Sequence, residues 1–332
     1  MNTNIGDNKI RWGIIGCGNV TEIKSGPPYQ QTPGFELTAV MRRDFDKAKD
    51  YAQRHGVAKA FATADELISD PEVDAVYIAT PPDSHHEYAL KVAAAGKPCC
   101  VEKPMAPSHQ QCVEICTVFS ELKLPLFVAY YRRTLPRFTQ VKQWLDNGMI
   151  GDVRHVGWQF CMPPNELDLS GQYNWRTDSK IAPAGHFDDL ASHGLDLIAF
   201  YFGNFQQVSG HSTNQQGLYS ADDAVVASWI HENGITGAGS WNFGGTVRQD
   251  SVQIFGSRGQ IELSVFADAP IRLTTNGVVE ELTIEHPKHV QQFHVEAIRN
   301  ALLENRPHPS TGISGAHTAW VMDRILANRS KD

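Results

Sequence analysis

The chain has no excess of positive charge. Lys and Arg number 29 against 37 Asp and Glu, a formal net charge of -8, which gives no basic face for a phosphate backbone, so no nucleic-acid partner is expected. It also lacks any apolar run approaching the roughly 18 to 20 residues that a membrane-spanning helix needs. Met1 to Asn8 is polar, without the basic and apolar regions of a secretion signal, so a cytoplasmic protein is expected. Cysteine is sparse. Of six, Cys99 and Cys100 are adjacent, Cys112 and Cys116 are one helical turn apart, and Cys17 and Cys161 are isolated. Cys112 and Cys116 could in principle bind a metal, but no second pair at ligand spacing accompanies them, which favours buried thiols. Internal repeats and low-complexity segments are absent too.

What is present is enough apolar sequence for two cores. The 332 residues are 41% hydrophobic and 20% charged, the balance of a soluble globular chain too long for one ordinary domain. From Lys9 to about Tyr131, apolar strands alternate with amphipathic helices, the signature of a doubly wound parallel sheet. Strands are expected at 11–15, 37–41, 75–79, 98–101 and 126–130. Gly56 and Gly96 stand where left-handed caps close helices, and Ser108 where one opens. Ser25-Gly26-Pro27-Pro28 breaks the first crossover into a short turn and a restarted helix. After a helix over 136–147 the pattern changes to strands at 153–160, 224–230, 236–243, 251–255 and 261–266 joined by short turns, an antiparallel sheet. Helices are expected near 188–202, 290–304 and 314–328. The fold class is therefore an α/β Rossmann domain, residues 1–131, followed by an α+β domain, residues 132–332, with a large open-faced sheet. Such a sheet offers a self-association surface.

Gly16-Cys17-Gly18-Asn19-Val20-Thr21 follows a strand and opens a helix. Gly16 permits the turn, Gly18 allows a pyrophosphate close to the backbone, and the amides of Asn19 and Val20 start the helix; Thr21 replaces the third glycine. After the second strand, where a carboxylate would hold the ribose of NAD, stands Met41-Arg42-Arg43-Asp44. Arg42 and Arg43 suit a 2′-phosphate, which favours NADP over NAD. The alternative keeps both arginines as solvated loop charges with Asp44 on the ribose. Thr80-Pro81-Pro82 ends a further strand and could wall the nicotinamide, with Ser84 capping a helix whose first residues His85 and His86 either touch the cofactor or face solvent. Glu102-Lys103-Pro104 follows the next strand, which puts Glu102 and Lys103 beside the same crevice, both assigned to the cofactor. In the second part, Asp189 and His193 lie four apart on one helical face that Asp196 nearly joins. His186, Asp189, His193 and Asp196 have metal-like spacing, but nothing else supports a metal and none is expected.

Gly16-x-Gly18, Thr80-Pro81-Pro82, Glu102-Lys103-Pro104, Trp175-Arg176, Asp189-x-x-x-His193 and Gly256-Ser257-Arg258-Gly259 together resemble the Gfo/Idh/MocA oxidoreductase family over essentially the whole chain. The resemblance implies that Lys103, Asp189 and His193 face the nicotinamide, that substrates are sugars, inositols or related polyols, and that dimers or tetramers form through the sheet. Chemistry agrees: oxidising a secondary alcohol removes a hydroxyl proton as hydride leaves carbon, and an imidazole such as His193 titrates near neutrality. Lys103 could share that role, while Asp189 orients the imidazole or binds a substrate hydroxyl. Trp175 and Arg176 can stack on a ring or bind an anionic group; Trp175 could equally plug an interface. Tyr131 stands where asparagine is frequent in the family and is assigned to the substrate. Two other readings remain: a glycosidase of the same family that oxidises its sugar transiently with a captive NAD, and a nucleotide-binding regulator without chemistry.

Overall fold

Short β-branched and aromatic runs, each capped by a turn, build a parallel sheet in the first part of the chain. The computed structural model describes residues 9–329, so Met1–Asn8, read above as polar and signal-free, lies outside the described residues. Strands β1 (Ile10–Ile15), β2 (Phe35–Met41), β3 (Lys59–Phe61), β4 (Ala75–Ile78), β5 (Cys99–Val101) and β6 (Leu126–Val128) pair in the order β3-β2-β1-β4-β5-β6, all parallel. Between them run α1 (Asn19–Ile23), α2 (Gly26–Gln31), α3 (Phe45–His55), α4 (Ala64–Ser69), α5 (His85–Ala94) and α6 (His109–Glu121). The strand order reverses between β1 and β4, the place where open α/β sheets leave a crevice at their carboxyl ends. The first crossover is split, as the tandem proline predicts, with Ser25 between α1 and α2. Gly56 closes α3 at φ +66° and Gly96 follows α5 at φ +70°, both left-handed as expected.

The second part opens with α7 (Pro136–Asp146) and carries β7 (Val153–Cys161), α8 (Glu166–Ser170), α9 (His186–Phe202), β8 (Phe205–Thr213), β9 (Ala224–His231), β10 (Thr236–Asn242), β11 (Gln249–Gly256), β12 (Gly259–Leu263), β13 (Ile271–Thr275) and β14 (Val278–Leu282). Its sheet has the order β14-β13-β12-β11-β7-β10-β9-β8, antiparallel except where β7 and β10 pair in parallel. Helices α10 (Gln292–Glu304) and α11 (Gly312–Ile325) follow.

Contacts divide the chain into two compact units. Residues up to 106, 110–134 and 286–316 form one, and 107–109, 135–285 and 317 onward the other. The single crossover expected at 131/132 thus becomes five, at 106/107, 109/110, 134/135, 285/286 and 316/317: after residue 285 the chain returns to the first unit, where Val295 and Ile298 of α10 join the core of Trp12, Tyr29 and Tyr77. That core is aromatic, with Trp12 and Tyr29 centroids 4.7 Å apart and Tyr29 and Tyr77 5.0 Å apart. Each such side chain contributes about 1.5–3 kcal/mol by leaving water.

In the second unit α9 lies on the sheet. Phe187 packs edge-on to Trp241 at 5.0 Å, and Gly194 faces the ring of Trp158, where a Cβ would come within 2.3 Å. Trp158 is itself set at right angles to Trp241, 5.3 Å away, and has little room to yield. Gly194→Ala is therefore expected to destabilise the protein by about 1–3 kcal/mol through overpacking, read as a lower melting temperature. An unchanged melting temperature would mean that α9 rides higher on the sheet than described.

Candidate functional site

The glycine turn hangs from the end of β2: the Gly16 and Cys17 amides both donate to the Met41 carbonyl, at 2.8 and 3.1 Å. Gly16 sits at φ +92°, and a Cβ there would come within 2.9 Å of the Thr80 amide nitrogen. Only glycine fits this approach. At Gly18 a Cβ would meet no protein atom closer than 3.8 Å, so the space before the turn is open to a ligand. Thr21, in place of a third glycine, is fully buried and closes the turn, its hydroxyl 2.9 Å from both the amide nitrogen and the carbonyl oxygen of Gly18. Asn19 and Val20 begin α1, where first-turn amides have no helical partner. These residues fit a pyrophosphate.

Arg42 and Arg43 separate. Arg42 is half-buried on the turn, its Nη1 donating to the Cys17 carbonyl at 3.3 Å, while Arg43 is exposed. Asp44 is engaged elsewhere. One carboxylate oxygen accepts from the Lys47 amide as the cap of α3 and the other pairs with Lys47 Nζ at 2.9 Å, contacts that hold its pKa down.

Thr80-Pro81-Pro82 follows β4, with Pro82 buried and Pro81 exposed. Ser84 precedes α5 as expected, but its hydroxyl turns back to Thr80 Oγ1 at 2.7 Å and the Pro81 carbonyl at 2.9 Å instead of capping the helix. His85 is fully buried, with Nε2 2.7 Å from the Thr80 carbonyl and Nδ1 2.9 Å from that of Pro104. This corrects both expectations for His85, since a ring enclosed in this way faces neither solvent nor a cofactor. His86 meets Glu114 on the surface.

Glu102 is buried, and its carboxylate organises the loop that carries Lys103. One oxygen accepts from Tyr77 Oη at 2.5 Å and Gln291 Nε2 at 2.7 Å, the other from the Lys103 amide at 3.1 Å. Gln291 also donates its own amide to the Lys24 carbonyl at the end of α1. With its oxygens so occupied, Glu102 supports the loop and does not reach out to a ligand. Neither Tyr77 nor Gln291 was legible as a site residue, and Gln291 lies 189 positions from its partner. Tyr131 is half-buried after β6, with the Arg132 guanidinium over its ring at 5.1 Å.

In the second unit Asp189 and His193 share a face of α9. Asp189 accepts from Arg176 Nε at 3.1 Å, and the Arg176 guanidinium lies over the Trp175 ring at 4.3 Å. Trp175 is half-exposed, which does not suit a buried plug. His193 is buried, its ring edge-on to Phe266 at 6.0 Å. The metal-like quartet is dispersed: His186 bonds Asp168 at 2.8 Å and Asp196 accepts from Thr318 at 3.1 Å. Among the described residues no cluster could hold a metal ion, and no helix is long and apolar enough to cross a membrane.

Residues 10–130 match the model of an oxidoreductase family with an NAD-binding Rossmann fold, and residues 138–262 that of the Gfo/Idh/MocA C-terminal domain. The chain belongs to the Gfo/Idh/MocA oxidoreductases. It is 37% identical over 318 residues to oxidoreductase P35 of Formosa agariphila, covering 96% of this chain and 98% of that one. In fold it is similar to a 3-ketoreductase from Actinomadura kijaniata solved with NADP and TDP-benzene, at TM-score 0.83, 22% identity, and 97% and 98% coverage. It is also similar to levoglucosan dehydrogenase solved with NADH and levoglucosan, at TM-score 0.84, 20% identity, and 96% and 97% coverage. This Gfo/Idh/MocA enzyme is thus a nicotinamide-dependent dehydrogenase or reductase built on a Rossmann sheet.

One group beside the site titrates far from its usual range. Burial pushes the Asp188 carboxyl from 3.8 up to about 7, although it accepts from the Ala184 amide at 2.8 Å and faces Arg329. An acid whose folded pKa is raised favours the fold while protonated and costs stability as pH rises from its unfolded value through its folded one. Asp188→Asn, which can still accept from Ala184, is expected to show no advantage below pH 3.8, a growing one up to about pH 7 and a constant one above. After screening by Arg329 the plateau should be about 1–2 kcal/mol, measurable by thermal unfolding across pH. A gain independent of pH would show that ionisation of Asp188 is not the cause.

Proposed function

We propose that this enzyme transfers hydride between NADP and a secondary alcohol or ketone of a sugar, inositol or related polyol. The observation that carries the cofactor half is Arg42, half-buried against the glycine turn while Asp44 is held in a helix cap. A guanidinium with an open approach suits a 2′-phosphate, and Arg43 beside it adds charge. A bound nicotinamide supplies or accepts the hydride. In reduction, His193 gives a proton to the substrate oxygen as that oxygen gains charge, and in oxidation it takes the proton back. The Lys103 ammonium is a second proton donor that can share the transfer. Asp189, with Arg176 and the Trp175 face, binds neighbouring hydroxyls, and Tyr131 contributes to the same substrate. Gly16, Gly18, Asn19 and Val20 hold the pyrophosphate, and Thr80, Pro81 and Pro82 wall the nicotinamide. A sugar of this kind is named for one structure similar in fold, levoglucosan dehydrogenase with bound levoglucosan.

Self-association is assigned to the outer face of the eight-stranded sheet, where Val226 of β9 and Phe255 of β11 are exposed, and the cytoplasm is the proposed compartment. The test is to titrate the protein with NADPH and NADH, then to follow reduced-nicotinamide absorbance with keto and anhydro sugars. Tight NADPH binding with net oxidation supports the reading; binding of neither cofactor ends it.

A further inference from the structure

His85 opens α5 and is wholly enclosed, yet its ring nitrogens meet only backbone carbonyls: Nε2 that of Thr80 at 2.7 Å and Nδ1 that of Pro104 at 2.9 Å. Thr80 ends the segment after β4 and stands directly against Gly16. Pro104 follows Lys103 in the segment after β5. One imidazole therefore spans the carboxyl ends of two neighbouring strands, with a ring nitrogen within hydrogen-bond distance of a loop carbonyl at each side. Ser84 ties the first loop to itself, its hydroxyl donating to Thr80 Oγ1 and the Pro81 carbonyl. Glu102 fixes the amide side of Lys103, and His85 the carbonyl side of the following residue. Both partners of the ring are acceptors, so a neutral imidazole donates to one of them and an imidazolium to both. Burial favours the neutral ring, while the two carbonyls and the nearby Glu102 and Asp83 favour the charged one.

We propose that His85 is a positioning residue that cross-braces the Thr80–Pro82 and Glu102–Pro104 loops and so sets Lys103 relative to the nicotinamide wall. This rests on the function proposed above only for what the two loops do; the brace itself is a property of the unliganded chain.

The test is hydrogen–deuterium exchange on the unliganded full chain, comparing wild type, His85→Phe and His85→Gln. The phenylalanine keeps the ring volume and removes both ring nitrogens. It is expected to leave exchange in β1 and β2 unchanged while amides in 79–84 and 101–106 exchange about tenfold faster, as local opening becomes easier. The glutamine amide can replace Nε2 on the Thr80 carbonyl, so its increase should be confined to 101–106. In turnover, His85→Phe should lower kcat about tenfold and leave the NADPH Kd within about threefold, because the glycine turn is untouched. Wild-type exchange in both loops of His85→Phe overturns the proposal. If that variant does not fold, wild-type exchange at 101–106 in His85→Gln overturns it. Failure of the wild type to bind NADPH or NADH would instead remove the functional reading and leave the exchange result to decide the brace.

Discussion

Lys103→Met is expected to lower turnover by about 10²- to 10⁴-fold, the range lost when a positioned proton-transfer group is removed. The methionine keeps an unbranched stem of similar length and the backbone amide that donates to Glu102, so the loop should stay as it is. Cofactor affinity should change little, which makes the loss one of kcat. His193→Ala should fall in the same range. If both side chains serve one oxygen, the double variant will be far less impaired than the product of the two single losses. Steady-state kinetics of the three variants, with a fluorescence titration of NADPH for each, decides this. Wild-type turnover in both single variants would remove the catalytic assignment, and fully multiplicative losses would place the two groups on separate tasks.

The second large effect concerns cofactor choice. Arg42→Ala is expected to weaken NADPH about 10- to 100-fold, the equivalent of about 1.5–3 kcal/mol for charge-assisted hydrogen bonds. NADH should be nearly unaffected, because the glycine turn does not need the guanidinium to form: Gly16 and Cys17 are held by Met41, and Gly18 by Thr21. The loss should also shrink as salt rises, since a charge pair near the surface is screened. Titration of both nucleotides against wild type, Arg42→Ala and the Arg42→Ala/Arg43→Ala pair provides the measurement. Equal weakening of NADPH and NADH would reassign Arg42 to supporting the turn, and the preference for NADP would lose its ground.

Much of the first unit was legible because its determinants are local. A strand, a glycine at positive φ and a helix start sit within a few residues at Gly16, and Gly56 and Gly96 mark helix ends without reference to the rest of the fold. The restart at Gly26 follows directly from tandem proline. Less of the second sheet could be read. In β8, alternate buried positions include Gly210 and Ser212, so no apolar alternation stands out, and β14 is an exposed edge whose Val278 and Val279 face solvent. The parallel pairing of β7 with β10 depends on strand neighbours far apart in sequence, which periodicity does not encode.

The candidate site divides in the same way. Gly16, Gly18, Lys103, Asp189 and His193 announce themselves by motif and spacing. The supports beneath them do not. Glu102 is fixed by Gln291 and Tyr77, and nothing near either residue in the sequence signals the contact. Gly194 is another such support: a glycine inside a helix is costly, and its packing reason, Trp158, lies on a distant strand. Asp44 is a case where two local roles compete: a carboxylate after the second strand suits a ribose, but it also suits a helix cap, and in the unliganded chain it forms the cap of α3. His85 shows the same limit, because burial, and not residue type, separates a brace from a ligand contact.

The most direct test of hydride transfer is to supply cofactor carrying deuterium at the reactive nicotinamide carbon together with a set of keto and anhydro sugars, and to follow the label by mass spectrometry. The account predicts one deuterium on the product carbon that bore the ketone, with one cofactor oxidised for each product formed. Product released without net cofactor oxidation would contradict it and point to transient oxidation by a captive nucleotide.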